Sequence, residues 1–183
     1  MQFRFELEKA IQAIGVLFRA EQTQVMSYLR LLKLLYIAER ENLAATGWPI
    51  LGDRAVAMDN GPVMSQVYDL IMDRHIGAPR WGQYFRRSHY CLEKVTEADV
   101  GRLSRQEIDR LQEIAHRYED ISEWDLVNVT HDFADYVKNK PPKKSMKPIS
   151  VEDILEGVGK SNLLASIEQE REDAEIYDGI FGG

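Results

Sequence analysis

The 183-residue sequence predicts a mainly α fold: a compact helical domain around a central apolar helix, with a small β hairpin and short strands, plus a charged C-terminal appendage. Three observations carry that prediction. Apolar residues recur at helical spacing through most of the chain, one segment near residues 24–45 is apolar almost all round, and the composition changes abruptly at Lys138. Hydrophobic residues make up 44% and charged residues 29%, so the chain has the apolar material a core requires and is not disordered throughout.

Leu7, Ala10, Ile11, Ile14, Leu17 and Phe18 form one apolar stripe and predict a helix over about 4–20. In the next segment Val25, Met26, Tyr28, Leu29, Leu31, Leu32, Leu34, Leu35, Tyr36 and Ile37 cover most of a helical surface, broken by Ser27, Arg30, Lys33 and the polar run Glu39 to Asn42. Such a helix belongs at the centre of its domain, and Gly47 with Pro49 supplies its stop. Residues 54–58 alternate weakly between Gly52-Asp53 and Asn60-Gly61-Pro62, the pattern of a short strand between turns. Val67, Leu70 and Ile71 mark a third helix over about 64–75, and the aromatic stretch Trp81 to Val95 reads as a hairpin or irregular ribbon. Ser104 with Glu107 and Ser122 with Asp125 match the capping pattern and open helices over about 105–118 and 123–137, with Val129, Phe133 and Val137 expected inward on the second.

Residues 1–137 are thus read as the helical domain. Residues 138–149 form a basic linker, since 138–147 hold five lysines, no acid and two adjacent prolines. Residues 150–183 form an acidic, weakly helical tail: 166–183 set six acids against Arg171, a net −5, among the apolar Ile167, Ile176, Tyr177, Ile180 and Phe181. The tail is expected to order on a partner.

Several function classes are disfavoured by the residues. The longest apolar run, Leu34 to Ala38, falls far below the roughly 20 residues that span a bilayer, and no signal-peptide pattern follows Met1. A lone Cys91 fits a reducing compartment, so a cytoplasmic protein is expected. No two of His75, His89, His116 and His131 are four apart on one helix, and no metal or cofactor is expected. Gly157 to Ser161 ends like a phosphate-binding loop, but the required earlier glycine is Ile154. Without a nucleophile elbow or an activated cysteine, the chain is not expected to be an enzyme. Residues 74–94 set Arg74, Arg80, Arg86, Arg87 and Lys94 against Glu93 with aromatics between, a pattern that can hold single strands. The overall charge of −7 argues against nucleic acid as a partner, and the aromatics also fit a core.

One joint pattern is more specific. Leu32-Lys33-Leu34-Leu35-Tyr36-Ile37-Ala38-Glu39-Arg40, then Gly47 to Asp53, Ala57, Gly61-Pro62-Val63 and Val67-Tyr68, resembles the Panacea domain, the SocA-like antitoxin family. Ser104, Glu107, Tyr118, Ser122, Leu126 and Thr130-His131 continue in the family's order, so the resemblance covers about residues 25–137. Ala134 and Tyr136 depart from it where the family tends to carry Pro and Trp. The resemblance implies an antitoxin that neutralises a cognate protein toxin by direct contact. A variant is an adaptor that delivers the toxin to a AAA+ protease, and a different class is a nucleic-acid-binding autoregulator using residues 74–94.

Gly52 and Gly61 fit positions needing unusual backbone angles, and Pro62 fits a helix entry. Lys33, on a mostly buried helix, needs a carboxylate partner or a surface groove, and Asp53 is the candidate partner. Toxin contact is expected on the turn face, through Lys33, Asp53, Arg54, Gly61, Pro62, Tyr68 and His131, and through the tail anchors Tyr177 and Phe181.

Overall fold

Helix α2 (Tyr28–Thr46) is the axis on which the molecule is built, with Leu31 to Ala38 buried without a break. The structure, a computed structural model, describes residues 3–181, and for 171 and 174–181 the backbone alone. Around α2 pack α1 (Leu7–Ala20), α5 (Arg105–Arg117) and α6 (Glu123–His131). α5 starts in a full capping box: Glu107 N–H donates to Ser104 Oγ at 3.2 Å and Ser104 N–H to Glu107 Oε2 at 2.7 Å.

The expectation of a mainly α domain with a small β hairpin and short strands is corrected. Two three-stranded antiparallel sheets flank the helices, making the fold mixed α and β. One has the order β1-β5-β4, from β1 (Val25–Ser27), β4 (Phe85–Ser88) and β5 (Cys91–Lys94). The other has the order β3-β2-β6, from β2 (Ala55–Met58), β3 (Gly61–Met64) and β6 (Lys147–Ile149). β1 was hidden because Val25 and Met26 continue the apolar coat of α2. β3 was hidden because its Gly-Pro start reads as a turn, and β6 because Lys147 and Pro148 read as linker. Runs of three or four residues are too short to display a two-residue period.

β6 pairs with β2 through Ala55 opposite Ile149 and Ala57 opposite Lys147. α8 (Val151–Gly157) follows and packs on α7 (Ala134–Asn139), with Ile154 and Leu155 buried. The helix expected over 123–137 is two helices. The break at Asp132 and Phe133 turns Asp135, Tyr136 and Asn139 inward and leaves Val137 60% exposed. α3 (Ser65–Ile71) and α4 (Ala78–Trp81) lie between β3 and β4 in the chain, and α9 (Leu164–Phe181) follows α8, its Ile167 buried near Gly47. Among the described residues no helix is long and apolar enough to cross a membrane.

Candidate functional site

The β2–β3 hairpin sits over three side chains that α2, α6 and α7 lift toward it. Lys33 Nζ donates to the Pro62 carbonyl at 2.8 Å, and the Tyr136 hydroxyl donates to the Met58 carbonyl at 2.9 Å. Thr130, fully buried, fills the space beneath Gly61. Gly61 has φ +92°, and a Cβ there would lie 2.8 Å from Thr130 Oγ1, 3.1 Å from Lys33 Nζ and 3.2 Å from His131 Cδ2. Only glycine admits both that backbone angle and that approach. The His131 ring stacks on Tyr136, centroids 4.7 Å apart and planes at 5°, and its Nε2 is buried with no partner among the described residues.

Lys33 is completely buried, and its one hydrogen bond among the described residues is the one to Pro62. Asp53 is not its partner. That carboxylate turns to the start of α3, accepting from Gln66 N–H and Val67 N–H at 3.0 Å each and from Arg54 N–H at 2.6 Å. Burial with no carboxylate beside it brings the Lys33 amine down to about 7. Burial likewise lowers His131, and the positive charges of Lys33 and Lys140 push it the same way.

Above Lys33 opens a cavity of about 530 Å³, walled by Tyr28, Met58, Asn60, Tyr68, Lys144 and Met146. A second, of about 270 Å³, lies on the other side of the same sheet, against Glu39, Arg40, Asp53 and Arg54. There Glu39, itself buried, accepts Ile50 N–H and Leu51 N–H at 2.7 Å each, yet desolvation still raises it to about 8. Desolvation raises Asp53 to about 6. Deeper still, Asp135 accepts from the Tyr36 hydroxyl and from Arg40 Nε, the latter at 2.9 Å, while the Arg40 guanidinium lies 4.2 Å over Phe133. This network ties α2 to α7 and fixes where Tyr136 stands.

The structure therefore brings Lys33, Gly61, Pro62 and His131 together under one turn, with Tyr68 on the wall of the adjoining cavity. Asp53 and the exposed Arg54 line the other cavity. The side chains of Tyr177 and Phe181 lie outside the described residues. Sequence reasoning missed Tyr136, Met58 and Glu39. Tyr136 carried a signal only as an aromatic five residues beyond His131. In residues 74–94, Trp81 and Phe85 are buried with ring centroids 4.7 Å apart, Arg80 is held by Glu8 at 2.7 Å and Arg86 by Glu93 at 2.7 Å. Those two rings belong to the core, while Tyr90 is 78% exposed. Among the described residues no group of three His, Cys, Asp or Glu could hold a metal ion.

The family described as antitoxin SocA-like, Panacea domain, matches residues 31–135. That span runs from α2 through the hairpin to Asp135, and so contains Lys33, Thr130, His131 and the turn of the site, with Tyr136 one residue beyond it. No curated protein and no solved structure matches the chain.

Proposed function

The chain belongs to the family of SocA-like antitoxins with a Panacea domain, and from that premise we propose that it neutralises a cognate protein toxin by binding it directly. The observation that carries the reading is the match over 31–135, more than half of the chain. The hairpin face supports it physically. Its turn, Asp59 and Asn60, is exposed, its carbonyls are pinned from below by Lys33 and Tyr136, and it stands beside a cavity whose rim includes Met146, 62% exposed. A turn held rigid from beneath loses little conformational freedom on docking, and methionine at a rim adapts to a partner's shape.

The test is co-expression of the tagged chain with the product of the neighbouring open reading frame. The expected result is restored growth, a stable complex on purification and an unchanged amount of toxin in the cell. Restored growth with falling toxin and no stable complex would replace direct neutralisation by delivery to a protease. A toxic neighbour that neither binds nor is neutralised would remove the reading.

A further inference from the structure

Lys33 is a buried amine to which the described residues give no counter-ion. Its ammonium has three donors and a single carbonyl acceptor, and its nearest basic neighbour, His131, adds an unpartnered buried nitrogen. An uncharged side chain would be cheaper to bury here, because a charge without a partner is expensive to desolvate. Lys33, although it has no exposed surface, is one of the residues that line the 530 Å³ cavity with Tyr68, Asn60 and Met146.

We propose that this cavity is a receptor for a carboxylate, supplied by an acidic side chain of the protein partner, which supplies the counter-ion that Lys33 lacks. The proposal rests on the antitoxin reading for the identity of the occupant. The argument is charge complementarity. A carboxylate entering between the tyrosines meets an amine already stripped of water and held in place by Pro62, so little further desolvation of the lysine opposes pairing. Tyr28, Tyr68 and Met58 provide apolar walls for the methylenes of the incoming side chain.

Docking has a proton signature. Above pH 7 the free amine is largely neutral, and an arriving carboxylate recharges it, so binding takes up a proton. Tyr28 on its own helix, Tyr68 on α3, Asp59 in the hairpin turn and Lys144 before β6 line the cavity with Lys33; His131 on α6 lies beside it, stacked on Tyr136 of α7 and within reach of the charge of Lys140. His131 is held low, and burial raises Tyr28 and Tyr136.

Two arms test the proposal on the full chain. In the first, lysine-labelled protein is titrated with sodium acetate against sodium chloride at equal ionic strength and followed by NMR. Acetate is expected to raise the Lys33 titration midpoint and to shift the Met58, Asp59, Asn60 and Gly61 amides saturably. Identical responses to acetate and chloride would overturn the proposal. In the second, binding to the neutralised toxin is measured for wild type, Lys33→Gln and Lys33→Met. Gln keeps a donor for the Pro62 carbonyl but no charge, and Met serves if Gln disturbs the fold. Either variant is expected to bind about 30-fold or more weakly. Wild-type affinity should fall about tenfold between pH 7.5 and 8.5, and the variants should lose that dependence. Rescue and binding unchanged in both variants would overturn this proposal and leave the antitoxin reading standing. A saturable acetate response in a chain that neutralises no toxin would overturn the assignment to a protein partner and leave a site for a free carboxylate.

Discussion

Lys33 and Glu39 share one helix, and burial pushes their titrations toward each other from opposite ends of the scale. Glu39 protonates near 8 in the folded chain against an ordinary 4.5. Between those values the unfolded chain has shed a proton that the folded chain keeps, so this group's contribution to stability falls as pH rises from 4.5 to 8. Lys33 titrates near 7 against an ordinary 10.5, so between 7 and 10.5 the unfolded chain holds a proton that the folded chain has lost. Its contribution rises with pH across that window. Denaturant unfolding of Lys33→Met is therefore expected to show a gain over wild type that is largest at pH 6 and shrinks toward pH 10. Glu39→Gln should remove the decline between pH 5 and 8. It should also cost about 1–3 kcal/mol near pH 5, because one of the Ile50 and Leu51 amides loses its acceptor. Parallel wild-type and variant stabilities at all pH values would contradict both assignments.

At the scale of elements, the long helices were legible and the short strands were not. α1 and α5 carry stripes several turns long and α5 carries its capping residues in the sequence, so their existence followed from spacing. β1, β3 and β6 hold three or four residues each, and what makes them strands is pairing: β1 with β5 and β6 with β2 across long stretches of chain, and β3 with β2 across a two-residue turn. The break between α6 and α7 was equally hidden, because no glycine or proline marks it. It is fixed instead by the Asp135 network to Tyr36 and Arg40. α8 belongs energetically to the same core: Leu155 is fully buried beside α7. Leu155→Ala is expected to cost about 2–5 kcal/mol and to lower the whole thermal transition as one step. A separate early transition, with the main one unmoved, would show that residues 147–157 fold independently.

At the scale of the molecule, the site lies where three helices converge on the back of one hairpin, and only part of it was legible. Lys33 stood out as a lone cation in an apolar coat, and Gly61-Pro62 as a turn signal. Their meeting required the fold, since Lys33 was expected to find Asp53 and instead meets the Pro62 carbonyl. Tyr136 and Met58 were invisible because their link runs from a side chain to a backbone carbonyl, which no residue pattern encodes. In the arginine-aromatic stretch at 74–94, the structure divides what the sequence runs together: Arg80 and Arg86 are paired and Trp81 and Phe85 are buried, while Arg87 and Tyr90 are exposed. On the proposed reading, the partner docks on the hairpin turn and the cavity beside it. Hydrogen exchange on the chain, alone and in complex with the toxin it neutralises, tests this most directly. The account predicts new protection at residues 58–61 and 144–146, with the 74–94 stretch unchanged. Protection confined to residues away from the hairpin would contradict it.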